Sequence, residues 1–459
     1  MRVLLLISPE SPALAGLTPI LATLVARGAT IEAGPAAPHL RAESIHVTEH
    51  TDAMALDQAA ASLTSADLLI APGGAGAPPA AIVAITRALL ADGGPLIVVD
   101  PTAIGDLLSD LGSTRNLDAL RNELRRSAAL AIAAHVAPLV RDGESAMPAR
   151  DVIVLERIRT FGHGENQHQA AAAYRRVHAT ETGIMEARVL QGQEPSLNDL
   201  LDLDAGARLV ADLPTPSVAL IRHTDPIGVA TAETALGALT RAIETDAAAS
   251  SGSTIVLNVP IDRAVAAVIA SGTFESVLAP ALADDGAAES LRTRSELMVV
   301  IDPSHRTTEL DMIGVNGAVL LQTADTGNIE RSQLRVVTER RPTLDELTDL
   351  LFAWRIVRHV RSNAIVIARG AATLGIGAAQ VNRRVAVDIA LSQAGERARG
   401  AVMASDAYFP FAEGIAAAAA AGITAIVQPG GSRRDAAAIE IADRHGIAMV
   451  FTGRRHYRR

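Results

Sequence analysis

Ser405-Asp406-Ala407-Tyr408-Phe409-Pro410-Phe411, an alanine-rich helix, Gln428-Pro429-Gly430-Gly431-Ser432 and Phe451-Thr452-Gly453-Arg454-Arg455-His456-Tyr457 close this chain. Only 2% of the residues are aromatic, and many of them crowd into this segment. Rings beside arginines and a glycine turn suit a planar, anionic ligand, because rings stack on it and guanidinium forks pair with carboxylate or phosphate. The Gly430-Gly431-Ser432 turn stands between a strand, Thr424–Val427, and a helix starting near Asp435. That placement suits an anion, and it equally suits an ordinary strand-to-helix turn.

Working outward, the preceding stretches read as α/β throughout. The third region begins near Pro342 with a helix to about Arg361, and its strands are Ala364–Ile367, Thr424–Val427 and Ala448–Phe451. A second region has strands near Val152–Leu155, Val218–Ile221, Thr254–Leu257 and Met298–Ile301. Residues 1–145 alternate strands at Val3–Ile7, Leu68–Ala71 and Leu96–Val99 with turns such as Pro72-Gly73-Gly74 and Asp100-Pro101. A helix over about Leu117–Val140 follows, and then a linker at Arg141–Pro148. Short apolar runs separated by helical stretches are the rhythm of a parallel α/β sheet. The 459 residues fit about three domains, expected at 1–145, 146–338 and 339–459.

Composition narrows the function. A net charge of −10 argues against a nucleic-acid surface. The absence of cysteine rules out disulfides and thiolate-bound metal and fits a cytoplasmic setting. The opening Met-Arg-Val-Leu-Leu-Leu-Ile-Ser is too short for a signal sequence or a membrane span. All basic side chains other than histidine are arginine, so no step can use a lysine amine.

Three further stretches carry candidate chemistry. Arg222-His223-Thr224-Asp225-Pro226-Ile227-Gly228 follows the strand Val218–Ile221, at the strand end where α/β sheets place ligands. His223 can take a proton from an amine, and Arg222 can stabilise developing negative charge. Ser362-Asn363-Ala364-Ile365 precedes Gly375-Ile376-Gly377-Ala378-Ala379-Gln380-Val381-Asn382-Arg383, and the Asn363 amide could orient a histidine or a carbonyl. The glycine pair Gly375 and Gly377 lacks the third glycine of a dinucleotide fingerprint and reads as a tight turn. Phe161-Gly162-His163-Gly164-Glu165-Asn166-Gln167-His168-Gln169 has the polar, glycine-flanked character of a functional loop. Its His163, Glu165 and His168 match no standard zinc spacing, and no metal is expected.

Together these stretches resemble the bifunctional purine-synthesis family that joins AICAR transformylase to IMP cyclohydrolase. The resemblance runs from about Asp151 to Arg459 and is most specific in the closing block and in Ser362-Asn363 with Gly-Ile-Gly-Ala-x-Gln-x-Asn-Arg. It implies two cytidine-deaminase-like α/β subdomains after a methylglyoxal-synthase-like parallel α/β domain. It further implies a homodimer that passes a formyl group from 10-formyltetrahydrofolate, as co-substrate, to the 5-amino group of AICAR. By the same resemblance His223 is the general base, with Arg222 and Asn363 as its catalytic companions. His163, Gly164, Asn166, His168, Asp199, Gly252, Glu275, Arg455 and Tyr457 would meet the substrate, and Tyr408, Pro410 and Arg383 the folate.

The chain departs from the family pattern around the substrate. Arg222 replaces a lysine, an arginine and a tyrosine are missing before Gly164, Ser251-Gly252 replaces an aromatic-glycine pair, and Asp199 replaces an asparagine. Residues 1–145 lack the family's Lys-Thr-Leu-His-Pro-Lys, Asn-Leu-Tyr-Pro-Phe and Asp-Ile-Gly-Gly-Pro segments, so this domain is expected to keep its sheet and to have lost ring closure. The departures leave two other readings open: a paralogue formylating another heteroaromatic amine, and a non-catalytic dimeric binding protein.

Overall fold

The computed structural model describes residues 1–7, 11–34, 36–50, 58–64, 67–71, 79–91, 94–99, 117–141, 147–177, 183–302 and 310–459. The turns at Pro72-Gly73-Gly74 and Asp100-Pro101 and most of the Arg141–Pro148 linker lie outside those residues. The chain divides into two compact units, Met1–Arg159 with Ala173–Ala179, and Thr160–Ala172 with Thr180–Arg459.

The first unit is a five-stranded parallel sheet in the order β3-β2-β1-β4-β5. Its elements run β1 (Arg2–Leu5), α1 (Pro12–Ala26), β2 (Thr30–Ala33), α2 (Ala37–Ala42), β3 (Val47–Glu49), β4 (Leu68–Ile70), α3 (Pro79–Leu90), β5 (Leu96–Val98) and α4 (Leu117–Arg141). Leu68, Leu69, Ile70, Ile97 and Val98 are buried, as befits strands covered on both faces. The Asp67 carboxylate accepts from the backbone N–H of Arg2 at 2.8 Å and of Thr64 at 2.9 Å, which pins β1 to the start of β4. The expected strand at Val152–Leu155 starts later, as β6 (Leu155–Phe161), which pairs with β7 (Ala171–Arg176).

The second unit is built on a twelve-stranded mixed sheet whose two halves repeat one plan. The first half runs β8 (Arg188–Gln191), α5 (Leu197–Ala211), β9 (Ser217–Arg222), β10 (Asp225–Thr231), α6 (Ala235–Thr245), β11 (Thr254–Leu257), α7 (Arg263–Ser271), β12 (Ser276–Ala279), α8 (Asp285–Arg292) and β13 (Met298–Ile301). A separate hairpin, β14 (Leu310–Val315) with β15 (Ala318–Thr323), follows. The second half then runs β16 (Arg335–Val336), α9 (Leu344–Val357), β17 (Ile365–Arg369), β18 (Ala372–Gly377), α10 (Arg383–Ala394), β19 (Val402–Ser405), α11 (Glu413–Ala420), β20 (Ala425–Gln428), α12 (Asp435–Arg444) and β21 (Ala448–Phe451). The order β16-β21-β20-β19-β17-β18-β10-β9-β11-β12-β13-β8 is symmetric about the antiparallel β18–β10 contact, made at Ala230 and Ala372. The expected boundary at 338/339 therefore falls within the second half of one continuous sheet, just after β16.

Local sequence explains the repeat. Ser196 and Thr343 cap α5 and α9 with their hydroxyls, and Asp199 and Glu346, three residues on, return the bond to the cap N–H. Both helices pack on one face in a shared core with Leu203 and Leu209 from α5 and Leu350 and Phe352 from α9. On the other face α6 and α7 bury Leu239, Ala242 and Ile269 in one core, and α10 and α11 bury Val387, Ala390 and Ile415 in another. Gly228 of β10 and Gly375 of β18 let these helices come close. A Cβ there would stand 2.1 Å from the carbonyl oxygens of Ala242 and Ala390, a distance no side chain tolerates. The Gly375-Ile376-Gly377 segment is accordingly a strand, where the sequence suggests a turn.

Candidate active site

His223 and Thr224 form the two-residue loop between β9 and β10, with φ of 53° and 65°. Both angles are positive, the pattern of a type I′ hairpin turn, which normally takes Asn-Gly. A histidine followed by a β-branched threonine is costly there, so other groups must hold the turn. Asp202 of α5 accepts from the N–H of Thr224 at 2.6 Å and of His223 at 3.3 Å. Arg361 donates to the His223 carbonyl at 3.3 Å, and Arg458 to the Thr224 carbonyl at 3.2 Å. Arg361 is itself fixed by Asp225, through Nε at 2.7 Å and its backbone N–H at 2.9 Å. The His223 ring is exposed, and among the described residues no hydrogen bond reaches it. Burial raises the Asp202 carboxyl above its ordinary pKa and the Asp199 charge adds to the rise, against the two turn N–H bonds and the charge of His223.

Asn363 is brought to the same network. A cis peptide joins it to Ser362. Its Nδ2 donates to the Gln380 carbonyl at 2.6 Å and its Oδ1 accepts from Arg383 at 2.7 Å, so both ends of the amide are assigned. Ser362 Oγ donates to Asp406 at 2.5 Å, while the Ser362 backbone N–H donates to the Arg458 carbonyl at 2.8 Å. The closing block is thereby stitched to Ser362-Asn363, and Arg361 and Arg458 stitch both to the His223 turn. Arg383 differs from its expected place. Only 5% exposed, it donates to Ser405 Oγ at 2.7 Å and pairs with fully buried Asp406. The contact of its guanidinium with Asn363 makes it a support for that amide.

The other expected residues fall in separate places. The Arg222 guanidinium lies on the 249–252 loop, donating to the Ser251 carbonyl at 3.1 Å. Gly252 sits between groups: a Cβ there would stand 3.4 Å from Arg222 and 3.5 Å from the Glu275 carboxylate. Asp199 accepts from the Ser196 N–H at 2.7 Å as part of the α5 cap. The 162–169 loop is closed on itself. Gln169 Oε1 accepts from the Asn166 backbone and side chain at 2.9 Å each, and His163 Nδ1 bonds the Gly164 carbonyl at 2.8 Å. The loop's link to α5 is an Asn198 contact to the Glu165 carbonyl at 3.4 Å, and His168 is exposed. Tyr408 and Tyr457 expose 38% and 48% of their surface, enough to offer a ring to a ligand. Arg455 already lies over the Tyr457 ring at 4.6 Å. Pro410 is half-buried, and its carbonyl accepts from Arg434, which covers the Phe411 ring.

The Gly430–Ser432 turn is not open to an anion. The Gly431 and Ser432 N–H groups donate to the Asp435 carboxylate at 2.7 and 3.2 Å, so the chain's own acid fills the turn. Asp202, Asp225, Arg361, Asp406 and Arg458 were missed from the sequence. The spacing Ser196-Asp199-Asp202, repeated as Thr343-Glu346-Asp349, was the one signal that could have found Asp202.

The family model described as the AICARFT/IMPCHase bienzyme matches residues 95–393, well over half of the chain. The chain belongs to the AICARFT/IMPCHase bienzyme family. Among relatives in that family, a bifunctional purine biosynthesis protein PurH from Trichodesmium erythraeum is 41% identical over 332 residues, 71% of this chain and 64% of the relative. Its counterpart from Anoxybacillus flavithermus is 42% identical over 297 residues, 64% of this chain and 58% of the relative. Against these two the chain thus spans less than two thirds of the relative's length. The match to the protein of that name from Nostoc sp. is 40% over 365 residues, covering 79% of this chain and 71% of the relative.

Proposed function

We propose that this protein is a cytoplasmic, folate-dependent formyltransferase. It moves the formyl group of 10-formyltetrahydrofolate to the 5-amino group of AICAR or a close analogue, in purine biosynthesis or a related pathway. The observation that carries the reading is the network joining the His223 turn, Asn363 and the closing block inside a member of this family. The amine nitrogen attacks the formyl carbon, and His223 takes the proton that the amine gives up. The carbonyl becomes an oxyanion, which Asn363 orients while Arg222, anchored on the 249–252 loop, supplies positive charge nearby. The bond from carbon to N10 then breaks, a proton passes to N10, and tetrahydrofolate leaves. Tyr408 and Pro410 line the shared pocket, and Arg455 with Tyr457 holds the nucleotide. The repeated plan of the twelve-stranded sheet supports two cytidine-deaminase-like subdomains, 146–338 and 339–459, after a methylglyoxal-synthase-like domain at 1–145.

Assembly as a homodimer is supported by β14 and β15, which expose Met312, Ile313, Val315, Val319 and Leu320. An isolated two-stranded hairpin with that much apolar surface is marginal in water and calls for a partner surface. The first domain, lacking the cyclohydrolase segments, has lost ring closure on this reading. A different heteroaromatic amine as acceptor is the second reading. It is favoured by the 162–169 loop, where Gln169 occupies the Asn166 amide that would otherwise meet the substrate.

Purified protein given 10-formyltetrahydrofolate with AICAR, or with its unphosphorylated riboside, tests both. Release of tetrahydrofolate with AICAR is expected, and turnover with the riboside alone would select the second reading. No turnover and no folate binding overturns the formyltransferase, and IMP formation overturns the loss of ring closure.

A further inference from the structure

We propose that Asp202 is a positioning residue for His223: its carboxylate holds the backbone of the His223–Thr224 turn and so aims the base. This rests on the formyltransferase reading above. The second half of the sheet supplies an internal reference. The offset that carries Ser196 to Thr343 also carries Asp202 to Asp349, His223 to Gly370 and Thr224 to Ala371. In the second half the β17–β18 loop is Gly370–Ala371, with φ of 58° and 56°, the same turn geometry. Asp349 of α9 accepts from the N–H groups of Gly370 and Ala371, at 2.7 Å each. One helix carboxylate therefore clamps one left-handed turn in each half.

The two clamps hold different loads. Gly370 enters the left-handed region at little cost, whereas His223 and Thr224 each resist it. The first turn receives extra ties at both carbonyls, from Arg361 and Arg458, and both of those side chains come from the second half. The added restraint falls on the turn that bears an exposed imidazole. Asp202 reaches only the backbone of the turn, so its effect on chemistry passes through the direction of the His223 ring.

The experiment compares full-length wild type with Asp202→Asn, Asp202→Ala, His223→Ala, the Asp202→Ala/His223→Ala double variant and Asp349→Ala. Tetrahydrofolate release gives kcat and KM, and thermal melting reports folding. A base misplaced by about 1 Å costs roughly 100-fold, so Asp202→Ala should lose about that factor in kcat with KM for both substrates unchanged. Asp202→Asn, which keeps one acceptor, should fall between. In the His223→Ala background Asp202→Ala should cost less than about threefold, because a residue acting through His223 has nothing left to act on. Asp349→Ala should melt earlier and keep its kcat. A kcat for Asp202→Ala within about threefold of wild type, or an undiminished loss in the His223→Ala background, overturns the proposal. The imidazole NMR signal of His223, assigned by its disappearance in His223→Ala, gives a readout free of turnover. It should move in Asp202→Asn, and an unmoved signal overturns the proposal. Should wild type transfer no formyl group, the activity reading fails, while the imidazole signal still judges the clamp.

Discussion

The two halves of the twelve-stranded sheet share their order, their helix caps and their clamped hairpin turns, yet each contributes a different group to the candidate site. The first half presents His223 where the second has Gly370. The second presents Asn363 where the first has Pro216, and a cis peptide precedes each of these, after Thr215 and after Ser362. The two halves form equivalent frames, and each carries a candidate site residue at one position and a plain residue at the other. The frame is thus separable from the chemistry, since the same turn and the same carboxylate clamp persist with nothing reactive on them.

The largest expected effect tests that separation directly. His223→Ala should lower formyl transfer by about 10²–10⁴-fold, the usual contribution of a general base, with an unchanged melting temperature. Gly370→Ala, at the matching place, should leave transfer untouched. A His223→Ala enzyme within tenfold of wild type in tetrahydrofolate release would break the assignment of the two halves.

The position after the fourth strand of each half sharpens the contrast. Asp406 follows β19, fully buried, and answers Arg383 and Ser362. Asn258 follows β11, accepting from the Ser217 N–H at 2.7 Å and donating to the Val210 carbonyl at 3.1 Å. One half uses a buried ion pair where the other uses a neutral amide. Removing one partner of a buried pair leaves the other charge uncompensated, at about 3–5 kcal/mol. Asp406→Asn should lose that much in denaturant unfolding and, by freeing Arg383, also loosen Asn363. Asn258→Asp turns a donor toward carbonyls into a carboxylate facing them and should cost about 1–3 kcal/mol. Equal losses for the two swaps would mean that the ion pair adds nothing to the second half.

The sequence exposed the frame better than the repeat. Central strands such as β11, β13 and β21 are short apolar runs buried on both faces, and expectation and structure agree there to within a residue. β10 and β18 were hidden, because Asp225, Pro226, Gly228, Gly375 and Gly377 look like turn residues. Their glycines answer a helix pressed onto the sheet, a tertiary demand that local propensity does not register. The site was legible as residue types at strand ends. Its wiring was not: Arg361 and Arg458 act on backbone groups far away in sequence and leave no periodic trace, and Asp202 shows only through the repeated Ser196-Asp199-Asp202 spacing. At Gly430–Ser432, where the sequence suits an anion and an ordinary strand-to-helix turn equally, the acid that fills the turn is Asp435, the first residue of the helix that follows.

The smallest effects bear on the turns themselves. Thr224 and Ala371 occupy the second position of equivalent left-handed turns, with φ of 65° and 56°. Glycine relieves the clash of Cβ with the backbone at such positions, and the gain outweighs the added freedom of the unfolded chain by about 0.5–1 kcal/mol. Both Thr224→Gly and Ala371→Gly should therefore raise the denaturation midpoint by a similar amount. Their activities should part. Ala371→Gly lies in the half whose turn bears no reactive group and should leave kcat unchanged, whereas Thr224→Gly softens the turn that aims His223 and should lower kcat severalfold while stabilising the fold. Equal kcat in the two variants would show that Asp202, Arg361 and Arg458 restrain the His223 turn fully on their own, and that the threonine is tolerated there without contributing to it.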